Sequence, residues 1–238
     1  MSVKGSNVNF VDSEKDGSEV SAIQTVVKTT RSITTLVAHI MVGVIVSVAF
    51  LYGLRNGTPT NKTMHHIILC VVGFQLLMIE AILALAPDSW LSTLKLRHRR
   101  LVHFVMQVLG SVLALTGCFI KILDETVHWK TFHGQFALAA MVFTSVSLVN
   151  GITSFYANEF RKVLPGTVSK LTHICFGAAA VFTANISLIY GFDKNGFRNW
   201  ATTRLADTII IITAILTVII IINPTLTFYS RLRGAIRK

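Results

Sequence analysis

Arg97-His98-Arg99-Arg100-Leu101-Val102-His103-Phe104-Val105-Met106-Gln107-Val108-Leu109-Gly110 places a basic cluster directly before a long apolar run. Lys95, Arg97, Arg99 and Arg100 crowd together. Three positions later His103 opens an apolar stretch that reaches about Leu123. Such a run matches the roughly 20 residues that cross a bilayer. A cationic surface therefore stands above a histidine that enters a membrane, either as an interfacial polar residue or as a ligand.

The rest of the chain extends this reading. Of its 238 residues, 52% are hydrophobic and 14% charged, whereas globular proteins carry about 25% charged residues. Six apolar runs are predicted, near Ile33–Leu54, His65–Ala86, Leu101–Leu123, Phe132–Ala157, Leu171–Phe192 and Leu205–Phe228. Their length and lack of alternation predict helices rather than barrel strands. The fold class is all-α, with six transmembrane helices. Residues 1–30 are expected to be a disordered cytoplasmic leader without the apolar core of a signal peptide. Residues 31–230 form the six-helix membrane domain, and 231–238 a basic cytoplasmic tail. Cys70, Cys118 and Cys175 all fall inside apolar runs, with no CxxC or CxxCH spacing, so neither a disulfide framework nor covalent haem attachment is indicated.

The formal charge of +11 suggests nucleic acid until its position is considered. It lies between the apolar runs, so it reads as topology, with membrane lipid rather than nucleic acid as the partner. The leader, the loops after spans two and four, and the tail hold 15 lysines and arginines, against 7 in the other loops. The positive-inside rule then places both termini in the cytoplasm of a multi-pass protein. An endoplasmic reticulum, endosomal or plasma membrane fits equally.

The histidines sort by the same topology. His65 and His66 open span two and His133 opens span four, at the non-cytoplasmic face. His103 opens span three and His173 span five, at the cytoplasmic face. His65 (or His66) is thus level with His133, and His103 with His173. Paired imidazoles from alternate helices of a bundle suit the axial positions of a haem. Residues one to three turns deeper are small: Gly177, Ala180 and Ala184 below His173; Ala137, Ala140 and Thr144 below His133; Gly110 and Ala114 below His103. They share the histidine's face and would let a flat ring lie near backbone, although small residues also serve simply to pack membrane helices. Two non-covalent haems b are expected, their irons roughly 15–20 Å apart if each ligand lies one to two turns inside the hydrocarbon. The rival readings are a proton relay, which would make the chain a proton or metal transporter without redox activity, and a structural membrane protein.

Met64-His65, Leu101-Val102-His103-Phe104, Phe132-His133-Gly134-Gln135 and Lys170-Leu171-Thr172-His173, in this order and spacing, resemble the cytochrome b561 family of transmembrane ascorbate-dependent reductases, in particular its short branch. The resemblance covers about residues 33–230. It implies a central four-helix bundle of spans two to five, with haem ligands His103 and His173 on the cytoplasmic side and His65 and His133 on the other. It also implies ascorbate as electron donor, ferric iron or monodehydroascorbate as acceptor, and allows a homodimer. The related branch usually has proline where His66 stands, so His65 is preferred on register.

Ascorbate is a monoanion at neutral pH, so Arg97, Arg99, Arg100 and Lys170, all just before His103 or His173, are its candidate ligands. These charges also serve topology and lipid headgroups. On the acceptor side the candidates are His128 and Lys130. Glu80 is the only acid deep in a span; it is expected to have a partner or to be protonated.

Overall fold

Six helices carry the apolar runs of the computed structural model, which describes residues 7–55, 61–156, 159 and 165–237, with side chains from residue 21 onward. They are α1 (Asn7–Arg55), α2 (Lys62–Leu83), α3 (Leu96–Asp124), α4 (Phe132–Phe155), α5 (Gly166–Phe192) and α6 (Asn195–Ile236). Within α2, Val71–Met78 is wound as a π-helix, with α-helix on both sides. Asn56-Gly57-Thr58-Pro59, whose composition reads as a turn, and Arg161 and Lys162, two of the basic residues counted in the loop after span four, lie outside the described residues.

Only 22 to 39% of each helix's most apolar stretch is buried inside the protein. Leu36, Leu109, Val112, Val149, Phe182 and Val218 are among the many large side chains left outward. Apolar surface on this scale needs hydrocarbon around it; the chain is an integral multi-pass membrane protein.

α1 and α6 meet through a narrow stripe. Ala38, Val42, Ile45 and Ala49 of α1, spaced by three and four, pack in one cluster with Ala206, Ile209, Leu216 and Ile220 of α6. α2 with α3, and α4 with α5, form two close antiparallel pairs. In the α2–α3 contact Gly110 lies against Met78 and the Gly73 carbonyl, and a Cβ on Gly73 would stand 2.6 Å from the Ala114 backbone nitrogen. The Gly110–Ala114 face, expected to receive a flat ring, is therefore spent on helix packing. Gln107 joins it by donating to the Met78 carbonyl (3.1 Å). The two pairs are bridged where Gln75 donates to Asn185 (2.7 Å), both fully buried.

Two segments depart from expectation. The leader is helical from Asn7 as a continuation of α1. Once a long apolar helix is nucleated, adding residues with moderate propensity costs little. The expected loop at 193–204 is instead the start of α6, with a kink at Thr202 (φ 65°, ψ 154°). Phe197 holds this short turn of helix in place. It is buried between Tyr52, Phe192 and Trp200, with ring centres 5.1, 4.8 and 5.6 Å away.

Alternate crossing puts the start of α1, the connection between α2 and α3, the end of α4, the start of α5 and the end of α6 at one end, called the basic end below. Arg31 meets Asp88 there (3.8 Å). At the opposite end Lys62 and Lys121 share Asp124 (3.2 and 3.0 Å), and Lys121 also binds Glu125 (2.8 Å), whose carboxyl this contact holds below its ordinary pKa. Arg198 pairs with Asp193 (2.7 Å) and Asp207 (2.8 Å). Much of the basic charge counted at this end is thus neutralised by acids.

Candidate functional site: two facing imidazole pairs

Four imidazoles meet two by two across the gap between the helix pairs. His103 of α3 faces His173 of α5, with ring centres 6.2 Å apart and planes at 90°. His66 of α2 faces His133 of α4, at 6.1 Å and 88°. His103 and His173 come together as the sequence predicts, and His133 takes its expected place. His65 does not: the histidine opposite His133 is His66. α2 is capped by Asn61, and in its first turn the His65 ring bends back so that Nδ1 donates to the Asn61 carbonyl (2.9 Å). One helical step of about 100° further on, His66 points across the bundle.

Each ring is held from behind by the other helix of its own pair. His66 Nδ1 donates to the Gly117 carbonyl (3.0 Å), and His103 Nδ1 to that of Ala81 (2.8 Å). His133 Nδ1 donates to the Ser187 carbonyl (2.8 Å), and His173 Nδ1 to that of Ser147 (3.0 Å). A carbonyl only accepts, so each Nδ1 carries the proton and each Nε2 keeps its lone pair. Ser187 closes its link at a second point, its hydroxyl donating to the His133 carbonyl (2.9 Å). Glycines make the room: a Cβ on Gly151 would sit 3.1 Å from the His173 ring, and one on Gly191 3.3 Å from the His133 ring.

These contacts obey one spacing. The acceptor carbonyl lies 14 residues after the histidine on α3 (His103, Gly117), α4 (His133, Ser147) and α5 (His173, Ser187). On α2 it lies 15 after (His66, Ala81), and the π-helical Val71–Met78 intervenes. A π-turn takes up an extra residue over the same path, so every helix presents one imidazole and one carbonyl at two fixed levels. Fourteen residues of α-helix set those levels about 21 Å apart.

The chain matches the family of eukaryotic cytochrome b561 over residues 65–198, which spans all four paired histidines. The chain belongs to that family. Among its relatives, a human (Homo sapiens) protein called transmembrane reductase CYB561D2 is 28% identical over 169 residues, covering 69% of this chain and 75% of the relative. The mouse (Mus musculus) protein of that name is 28% identical over 172 residues, with the same coverage. The bovine (Bos taurus) one is 29% identical over 131 residues, covering 53% of this chain and 59% of the relative. No solved structure matches.

A cytochrome b561 implies haem, and the residues present fit it. A metal–imidazole bond of about 2.0–2.1 Å on each side, plus the distance from nitrogen to ring centre, gives roughly the observed centre-to-centre separation. The donor set is right as well: neutral imidazole with a free Nε2, oriented by a hydrogen bond at Nδ1. Among the described residues no group of three or more His, Cys, Asp or Glu could hold a metal ion; the four facing histidines come as two pairs.

The basic residues of this b561 chain separate by role. Arg99 is buried, its guanidinium donating to the carbonyls of Ala84 and Ala86 at the C-terminal end of α2. It is a helix cap, which takes it out of the expected anion cluster. Arg97, Arg100 and Lys170 are exposed at the basic end. At the other end Lys130 lines an open groove with His133, Gln135, Tyr190, Asp193 and Lys194. His128 is exposed and leans on Trp129 instead (5.8 Å).

Sequence reading missed a repeat that was there to be found. His133…Ser147-Leu148-Val149-Asn150-Gly151 recurs 40 residues on as His173…Ser187-Leu188-Ile189-Tyr190-Gly191. It encodes the whole α4–α5 half: ring, carbonyl and the glycine behind the opposite ring. It also missed His39, whose Nδ1 lies 2.9 Å from Glu80 Oε1. The carbonyls of Ala81 and Gly117 carry no side-chain signal.

Proposed function

We propose that the chain is a transmembrane reductase that passes single electrons from cytoplasmic ascorbate, through two bis-histidine haems b, to ferric iron or monodehydroascorbate on the other side. The observation that carries this is the set of four Nδ1–carbonyl bonds behind two facing imidazole pairs. A proton wire that runs through an imidazole takes the proton up at one ring nitrogen and gives it up at the other, whereas here one nitrogen of each of the four facing rings is tied to a backbone carbonyl. The reading is supported further by the family match and by relatives called transmembrane reductases.

Haem, when bound, supplies a one-electron ferric–ferrous couple. The chain's own groups do the rest. His103 and His173 would hold one haem, and His66 and His133 the other, each oriented by its carbonyl. The basic end is read as cytoplasmic from the lysine and arginine count. There Arg97, Arg100 and Lys170 offer charge-assisted donors to the ascorbate monoanion, one or two turns outside His103 and His173. At the other end Lys130 and Lys194 make the groove beside His133 suited to an anionic acceptor, an iron chelate included.

The test is a redox difference spectrum of the purified full-length protein with a haem assay. The expected result is a b-type spectrum elicited by ascorbate at close to two haems per chain. A folded, colourless protein, or one with haem that ascorbate cannot reduce, would overturn the proposal.

A further inference from the structure

His39 of α1 and Glu80 of α2 form an ionisable pair inside the membrane-spanning region, apart from the four paired imidazoles. Nδ1 and Oε1 are 2.9 Å apart, and the side chains are 26% and 17% exposed. Ionisable groups are costly at this depth and are kept where protons or ions are handled. Glu80 immediately precedes Ala81, whose carbonyl holds His103 Nδ1. The pair therefore sits one residue from the support of the basic-end imidazoles.

The other titratable groups nearby are already engaged. Arg31 of α1, two turns outward of His39, meets Asp88. On α3, Arg99 caps α2 and His103 is tied to Ala81. α6 contributes Leu216 and Ile220 to the cluster around Ala38, Val42 and Ile79, and neither titrates.

We propose that His39–Glu80 is the proton-accepting site coupled to reduction at the His103/His173 haem. This rests on the functional reading above. Ascorbate monoanion that becomes the monodehydroascorbate radical anion loses one electron and one proton. The electron goes to the iron. The proton goes to His39 Nε2, the ring nitrogen not bonded to Glu80, and turns an imidazole–carboxylate pair into an imidazolium–carboxylate pair. The positive charge gained on the pair would offset the one a haem iron loses on reduction. When the electron moves on, the proton returns to the cytoplasmic water.

The test is a spectroelectrochemical titration of both haems in the full-length, haem-loaded protein between pH 5.5 and 8.5. A His66→Ala variant isolates the basic-end haem. That haem's potential should fall with rising pH, approaching the 59 mV per tenfold change in proton concentration of a one-electron, one-proton couple. Glu80→Gln and His39→Gln should flatten this slope and leave the other haem unchanged. Unchanged slopes in both variants would overturn the proposal while leaving the haem reading intact; a chain that binds no haem would overturn both. If the variants do not fold, redox-difference infrared spectra of native protein with 15N-labelled histidine decide. Imidazolium bands appearing on reduction in the His66→Ala protein support the proposal, and their absence overturns it.

Discussion

The α4–α5 and α2–α3 halves perform the same task with different sequences. In α4–α5 the two helices are copies at a 40-residue offset, each with a histidine, a serine 14 residues later and a glycine four beyond that. In α2–α3 the acceptors are Ala81 and Gly117, and the spacing is 15 on one helix and 14 on the other. What the halves share is the axial distance from imidazole to carbonyl. The side chain at the acceptor is free to vary because the acceptor is backbone, while the distance is not, and the π-turn in α2 absorbs the extra residue.

The sharpest way to break this comparison is to change the distance. One alanine inserted between Val112 and Leu113 of α3 rotates everything beyond it by about 100° and stretches His103–Gly117 to the α2 value without a π-turn. Both sites depend on α3, so the expected outcome in a haem assay is loss of both haems. Deleting Val72 from the π-helical segment should instead let α2 wind as plain α-helix at the common spacing, and haem content should hold. Equal damage from the two changes would break the argument.

Next in size is the split between the sites. Gly151→Leu should displace the His173 ring and Gly191→Leu the His133 ring. Each should lower bound haem by about half, and difference spectra should show different components lost. A variant that removed both components would mean the levels are not independent. The smallest effect separates neighbours in the opening stretch. Arg99→Ala leaves two helix-end carbonyls without their donor and should cost about 2 kcal/mol of stability, read as a lower unfolding temperature. Arg97→Ala should leave stability alone and slow reduction by ascorbate several-fold.

These contrasts also mark what could be read without coordinates. The six crossings were legible because hydrocarbon demands long apolar runs and little else produces them. The levels of His103, His133 and His173 followed from where those runs begin. His65 against His66 was not legible in the same way. Adjacent residues differ by 100° of helix, and only the Asn61 cap and the later π-turn fix which one faces inward. Arg99 was grouped with Arg97 and Arg100 for the same reason: composition gives charge, while the helix start decides which charge turns back to cap α2. The α4–α5 repeat was readable and needed only a comparison of one span with the next. The carbonyls of Ala81 and Gly117 were beyond reach, since every residue has one. His39 is a different case, a lone histidine in an outer helix whose meaning depends on Glu80 across the contact.

Everything in the paired arrangement turns on which histidine of the doublet faces His133. The most direct measurement is the haem-to-protein ratio of His65→Ala and His66→Ala, purified side by side as full-length protein. The expected result is close to two for His65→Ala and close to one for His66→Ala, with the ascorbate-reducible basic-end component present in both. A ratio that falls to one in His65→Ala and stays at two in His66→Ala would contradict the pairing.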